Sequence, residues 1–376
     1  MKVITMQIKN MDKVFGGAYE RYMQLIEEFT SRDWEVHHIS PKGFSNIKHK
    51  NLIHHGILDI PLRPGFLPFS IQTFLRMLWL GAKTPVDLIV TFSVLEGLLG
   101  AIFKYFHKRT KLVISSRGDE VALAETNMKN GIKKTLYFKI FKIIEKYALK
   151  KADLVIFVSN KDRQNIVKRA KYNYIEKVIY NGITPRLKRL SSERGVNFGT
   201  GNKLIGFVGL IYEEGKGLRY LMKAFSKVTQ ELPNSKLVVV GDGPGKRWLV
   251  SLVNSLGLEE NVIFTGFQQN PIQYMKGFDL MVLPSLYEAF PAVILEALYV
   301  GTPVIGSKAG GIPEVLKYDE LLFEPGNADE LSSKILNLLK NDEAYGKALE
   351  LCRERKEAFT FDWREEMLKA IEGVCR

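Results

Sequence analysis

The sequence predicts an α/β protein of two doubly wound domains, each a mostly parallel sheet with helices on both faces. Three observations predict it. Apolar strand-like runs alternate with amphipathic helical patterns, a rhythm that calls for parallel strands joined by crossover helices. The alternation stops at a turn cluster, Asn181-Gly182-Ile183-Thr184-Pro185, and at the polar, aperiodic stretch 186–202, then starts again. The 376 residues also suffice for two domains of ordinary size, each with its own core. The domains are placed at residues 1–185 and 203–360, with 186–202 as linker and 361–376 as a closing helix.

In the first domain Val3–Ile8 reads as a strand, and Gly16-Gly17 lead into an amphipathic helix that runs to Phe29. Further strands are expected at Trp34–Ile39, Leu88–Phe92, Lys111–Ser115, Leu154–Val158 and Val178–Tyr180. Helices are expected at Leu95–Phe106, Lys133–Lys150 and Lys161–Ala170. In the second domain the strands are Leu204–Val208, Leu237–Val240, Val262–Phe264 and Leu280–Leu283, and the helices Leu218–Glu231 and Lys246–Leu256. Another helix begins near Pro291, since a proline's missing N–H costs nothing at a first helical position. Phe361-Asp362-Trp363 opens the last one.

Composition narrows the class. With 46% apolar and 25% charged residues the chain is globular, which excludes a disordered protein. Its two cysteines, Cys352 and Cys375, have no metal-ligand spacing, which fits a reducing compartment and argues against a disulfide scaffold. Met1–Ile8 reads as a strand rather than a signal peptide. The longest apolar run, Leu88–Phe103, is broken by Glu96 and Gly97 short of the ~18 residues of a membrane span. A cytoplasmic protein is expected.

Charge is unevenly placed. Residues 1–190 hold 33 Lys and Arg against 16 Asp and Glu, a net of +17, while the remainder is mildly acidic at −4. One domain therefore meets something negative: an anionic membrane surface, a lipid-diphosphate acceptor or nucleic acid. No nucleic-acid-binding motif is present and the basic residues sit beside apolar ones, so nucleic acid is not expected. Lys133–Lys151 interleaves seven lysines with apolar residues, and Leu62–Trp79 is rich in aromatics with Arg63 and Arg76. Such a helix by default buries its apolar stripe in its own domain. Together the two favour peripheral contact with the inner face of a membrane.

Residues 284–315 carry the sharpest signal. A strand ends at Pro284, a polar turn carries Glu288, and a helix start follows at Pro291. The N–H groups around Phe290, Pro291, Ala292 and Val293 offer an anion site, proline itself supplying only its shape. Glu296 stands just over a turn inside that helix. Phosphate oxygens would take the N–H groups, and the two carboxylates would accept from paired hydroxyls at either end of a nucleoside-diphosphate sugar. The plain alternative for the glutamates is two surface carboxylates on an ordinary helix.

This stretch resembles the Glu-x7-Glu motif of the retaining GT-B glycosyltransferases, in particular glycosyltransferase family 4. Ser285, Glu288, Phe290, Glu296-Ala297, Gly301, Pro303-Val304, Gly310-Gly311 and Pro313-Glu314 match the pattern, with Ala289 and Pro291 where the family often has Gly. The resemblance implies the GT-B fold: two Rossmann-like domains facing a central cleft, with the C-terminal helix crossing back onto the first domain. It also implies a metal-independent transfer with retention from a UDP-sugar or GDP-sugar donor and no further cofactor. Glu288 would hold the sugar hydroxyls and Glu296 the ribose. Polysaccharide biosynthesis at the cell envelope, on a lipid-linked or glycan acceptor, is the expected setting.

The other expected site residues are less specific. Gly206-Phe207-Val208-Gly209 ends a strand and Lys216-Gly217 opens the next helix, so Lys216 can reach a diphosphate. In the family an Arg also stands in this turn, but Leu210 and Ile211 occupy its place here. Gly16 and Gly17 resemble the family's glycine loop, where backbone approaches the donor phosphates. Arg117, after a strand, replaces a common His; it cannot act as a base but can hold phosphate or hydroxyls. Phe264 and Gly266 match the strand and loop beside the nucleotide base, although a core role for Phe264 is the simpler reading. Gly241-Asp242-Gly243-Pro244-Gly245 lacks the third glycine of a dinucleotide fingerprint and reads as a strand–helix turn. His54-His55, on a strand-like segment, read as structural or exposed. The alternatives to a transferase are a GT-B sugar-nucleotide epimerase and a non-catalytic nucleotide- or polyanion-binding protein.

Overall fold

The computed structural model describes residues 1–6, 17–41, 49–57, 66–127, 132–171, 175–183, 187, 190–199 and 201–376. Gly16 and residues 62–65 lie outside them. The chain forms two compact units. The first holds Met1–Val121, Lys129–Tyr180 and Trp363–Arg376; the second holds Ala122–Met128 and Asn181–Asp362.

The first unit contains a seven-stranded parallel sheet of β1 (Lys2–Met6), β2 (Glu35–Pro41), β3 (Leu52–Ile57), β4 (Leu88–Thr91), β5 (Lys111–Ser116), β6 (Leu154–Phe157) and β7 (Glu176–Val178). Their order is β3-β2-β1-β4-β5-β6-β7. The central strands are mostly apolar because helices cover both faces, and the core gathers Ile4, Met6, Ile89, Ile114, Phe103, Phe141 and Phe157. The edge strand β3 lies outside the expected series. Its histidines hide the apolar pattern, and it is recognisable through its partner: His54 pairs in register with His38.

The last helix, Trp363–Cys375, packs within this first unit, against the helix Gly17–Ser31 and β5. Trp363 is 1% exposed. Arg32–Glu372 at 3.2 Å and Arg364–Glu28 at 3.6 Å tie the helix surfaces together.

The second unit carries a six-stranded parallel sheet of β8 (Lys203–Val208), β9 (Ser235–Val240), β10 (Val262–Gly266), β11 (Leu280–Leu283), β12 (Val304–Ser307) and β13 (Leu322–Phe323). The order is β10-β9-β8-β11-β12-β13. The chain runs outward from β8 to β10, then returns to the other side of β8 as β11. The boundary between β8 and β11 is thus a topological switch point, where a ligand can enter beyond the carboxyl ends of the strands. The stretch expected as linker packs on this unit: the Val196 N–H donates to the Gln273 carbonyl at 2.9 Å, and Phe198 stacks near Phe278.

Candidate functional site

The loops after β8 and β11 meet at that switch point. After β8, the Ile211 N–H donates to the Asp242 carbonyl at 3.0 Å, and its carbonyl accepts from the Gly245 N–H at 2.9 Å. Of the two residues that stand in place of the family's arginine, Ile211 is fully buried and Leu210 is exposed. The loop ends at Gly217, whose φ of +65° starts the helix Leu218–Glu231. A Cβ at Gly217 would stand 1.8 Å from the Pro284 carbonyl oxygen, so only glycine lets the β8 loop pass this close to the end of β11. The Leu286 N–H donates to the Gly215 carbonyl at 2.8 Å and ties the two loops.

This contact delivers Lys216 to Glu288. The ammonium lies 2.5 Å from Glu288 Oε1, with the side chains 27% and 16% exposed. Ser285 Oγ donates to the same oxygen at 2.9 Å, and Ser307 Oγ donates to the Ser285 carbonyl at 2.5 Å. From below, the Gly311 N–H donates to the Glu288 carbonyl at 2.8 Å. Gly310 approaches that carbonyl with a φ of +53°, and a Cβ on it would stand 1.8 Å away. Glu288 is therefore held at side chain and backbone by groups from three strand ends. Ser285, Gly310 and Gly311 are visible in the motif, but their hold on Glu288 follows only from the fold.

The helix after Glu288 begins one residue later than its sequence suggests. Pro291 is extended (φ −74°, ψ 110°) and caps the helix Ala292–Val300 from outside, with no side-chain cap. The first N–H groups of a helix have no intrahelical acceptor, and Ala292 and Val293 stand at those positions. Ile294, Leu295, Ala297 and Leu298 turn to the core. Ala292, Val293 and Glu296 share the half-buried face. The Phe290 ring is buried edge-on against Phe359 and its carbonyl accepts from Asn181 Nδ2 at 3.3 Å, which leaves its side chain a packing part.

The neighbouring turns extend the same edge. The Gly209 N–H donates to the Val240 carbonyl at 3.0 Å, and the Gly241 N–H to the Gly266 carbonyl at 2.9 Å. Gly209 and Gly266 thus flank the end of β9, which lies between their strands, and a Cβ on Gly241 would stand 2.0 Å from the Gly209 carbonyl oxygen. Phe264 is half-buried just before the bulge that ends β10. The Gly243 N–H and Lys246 hold the Asp242 carboxyl below its usual pKa.

Arg117 and Gly17 belong to the first unit. Gly17 opens the first helix. Arg117 lies over the Trp363 ring at 5.4 Å, and Arg21 lies over the same ring at 5.3 Å. Burial, with repulsion from Arg21, pushes the Arg117 guanidinium down to about 9. His54 and His55 join a histidine cluster across β2 and β3: His37 Nδ1 lies 2.8 Å from His55 Nε2, and His54 Nε2 lies 2.7 Å from Ser40 Oγ. Among the described residues no group of three or more His, Cys, Asp or Glu is arranged to hold a metal ion.

Residues 15–187 match the family model "Glycosyltransferase Family 4", and residues 189–357 match "Glycosyl transferases group 1". The chain is 24% identical over 361 residues to the N-acetyl-alpha-D-glucosaminyl L-malate synthase of Bacillus anthracis, covering 90% of this chain and 88% of the relative. It is 25% identical over 336 residues, 87% of this chain and 88% of the relative, to the N-acetylgalactosamine-N,N'-diacetylbacillosaminyl-diphospho-undecaprenol 4-alpha-N-acetylgalactosaminyltransferase of Campylobacter jejuni. Among solved structures, sucrose-phosphate synthase from Thermosynechococcus elongatus shares the fold with a TM-score of 0.84 at 21% identity, covering 99% of this chain and 98% of that one. HepE of Anabaena, solved with UDP-glucose, does so with a TM-score of 0.73 at 20% identity, covering 99% and 100%.

Proposed function

As a chain made of a Glycosyltransferase Family 4 domain and a Glycosyl transferases group 1 domain, this protein belongs to the glycosyltransferases, and we propose that it moves a sugar from a nucleoside-diphosphate sugar to a lipid-linked or cell-envelope glycan acceptor. In this reading the transfer retains the anomeric configuration, needs no metal ion and takes a UDP-sugar or GDP-sugar. The observation that carries it is the convergence of Lys216, Glu288 and the uncapped start of the helix Ala292–Val300 at one switch point.

The chemistry follows from what each group can do. Lys216 and the N–H groups of Ala292 and Val293 are donors for a diphosphate, and they stabilise it as charge grows on the leaving group. Glu288 accepts from sugar hydroxyls once the diphosphate draws Lys216 away, and its carboxylate faces the cationic character that develops at the anomeric carbon. Glu296, a turn further along the half-buried helix face, accepts from the paired ribose hydroxyls. Arg117 holds phosphate or hydroxyls. The acceptor class is supported by the +17 charge of residues 1–190 and by the undecaprenol diphosphate in the name of the Campylobacter relative.

A thermal-shift titration with UDP, GDP, ADP and CMP, on wild type and Glu296→Ala, tests the reading. A selective rise with UDP or GDP that the variant loses is the expected result. No rise with any of the four would overturn it in favour of a repurposed donor site.

A further inference from the structure

We propose that the first unit docks on an anionic membrane surface through two exposed apolar stripes that converge on an aromatic, basic tip. The inference gives the proposed lipid-linked acceptor a place to be met, and so rests on that reading for its purpose, though its test requires no sugar transfer.

The stripes are not core faces. On the helix Ile132–Lys151 the inward side chains are Phe141, Glu145, Ala148 and Leu149. Leu136, Ile140, Ile143 and Tyr147 recur at helical spacing on the other side and lie open to solvent. The sequence-based default, a helix whose apolar residues all serve its own domain, does not hold here. On the helix Phe66–Lys83, Met77 and Leu80 turn inward while Ile71, Leu75 and Trp79 form a second open stripe. Tyr105 and Phe106 end a third helix, Val94–Phe106, and are open as well. All nine side chains are 36–70% exposed.

Contacts join the three helix ends. Lys104 Nζ donates to the Lys151 carbonyl at 3.2 Å, which sets the end of Val94–Phe106 beside the end of Ile132–Lys151. Gly81 faces His107 and Phe103 so closely that a Cβ would meet each at 2.8 Å, which sets the end of Phe66–Lys83 against the same tip. Apolar surface gathered in this way marks an interaction site.

Charge selects the occupant. Lys139, Lys142, Lys146 and Lys150 flank the first stripe, Lys108 and Arg109 follow Phe106, and Arg76 and Lys83 lie over the Trp79 ring at 5.1 and 3.8 Å. An apolar centre with an aromatic and cationic rim matches the depth profile of a bilayer interface: hydrocarbon, then headgroup, then anionic surface. Like charges oppose a second copy of this chain on the same face. Nucleic acid would leave the apolar centre unused. No described helix is long and apolar enough to cross a membrane, so the fit is to a surface.

Co-sedimentation at about 0.15 M salt, with vesicles of phosphatidylcholine alone and with added phosphatidylglycerol, tests this. Wild type should bind only the vesicles that contain phosphatidylglycerol. Leu136→Ser/Ile140→Ser/Ile143→Ser and Lys139→Glu/Lys142→Glu/Lys146→Glu should each weaken binding by about tenfold or more with melting temperature unchanged. Failure of the wild type to bind, or binding that both variants retain, would overturn the proposal. So would a wild-type dimer that the serine variant dissolves, or a salt-resistant gel shift with nucleic acid. The nucleotide-induced thermal shift is read on the same variants: its retention while vesicle binding is lost separates this proposal from the donor-site reading.

Discussion

Lys216 and Glu288 stand 72 positions apart, yet the ammonium of one lies 2.5 Å from a carboxylate oxygen of the other. They meet because β8 and β11 are neighbours in the sheet although β9 and β10 come between them in the chain. On the proposed reading, a ligand that carries both phosphate and hydroxyl groups would divide this pair.

Glu288→Gln should lower kcat by roughly 10²–10³-fold, the range found when one preorganised stabilising group is removed. The ion pair it breaks is partly exposed and contributes only ~0–1 kcal/mol to stability, so the melting temperature should stay within a few degrees. Steady-state transfer assays with calorimetry check both. An equal loss of fold and activity would assign Glu288 a structural role.

Gly310→Ala should destabilise the second unit by about 1–3 kcal/mol, because an L residue at its φ of +53° is strained and its Cβ would overlap the Glu288 carbonyl. A denaturant titration reads this as a lower midpoint. Activity should fall further than stability, since the displaced carbonyl belongs to Glu288 itself.

Arg169 donates to both oxygens of Asp119 at 2.8 and 3.0 Å and to both oxygens of Glu145 at 2.7 and 2.8 Å, and each carboxylate is 1% exposed. Burial pushes the Glu145 carboxyl up while Arg169 opposes the shift. Arg169→Ala should cost about 3–5 kcal/mol, as two buried carboxylates lose the guanidinium they share. Arg169→Lys should restore less than half, for want of the fork. Urea unfolding gives the comparison.

Acidification should weaken the first unit. Burial, with His37, Arg76 and His54 nearby, pushes the His55 imidazole down to about 4, and burial holds His38 well below its usual value. These rings are neutral when folded and take up protons more readily when unfolded. The stability they contribute is complete above about 6.5 and is lost as pH falls toward 4. Melting temperature should drop between pH 7.5 and pH 5, and His55→Gln should shallow that slope.

Local pattern made much of this protein legible. Strand–helix alternation placed ten of the strands to within a few residues, since Leu280–Leu283 or Leu237–Val240 must be buried wherever it lies. The edge strand Leu52–Ile57 was harder to see, because half-exposed histidines carry no apolar rhythm and its pairing with β2 is a long-range fact. At the site, the motif named Lys216, Glu288 and Glu296. It could not show that the Phe290 ring packs on Phe359, because that partner lies 69 positions away.

The sequence by itself determined the α/β class and the two parallel-sheet domains, because periodicity and turn residues act over a few neighbours. Only the tertiary structure decided that Lys216 pairs with Glu288, that Arg117 rests on Trp363, and that Leu136, Ile140 and Ile143 face solvent. Those outcomes depend on which distant elements lie side by side, and strand order, unlike strand identity, is set by the packing of the whole sheet.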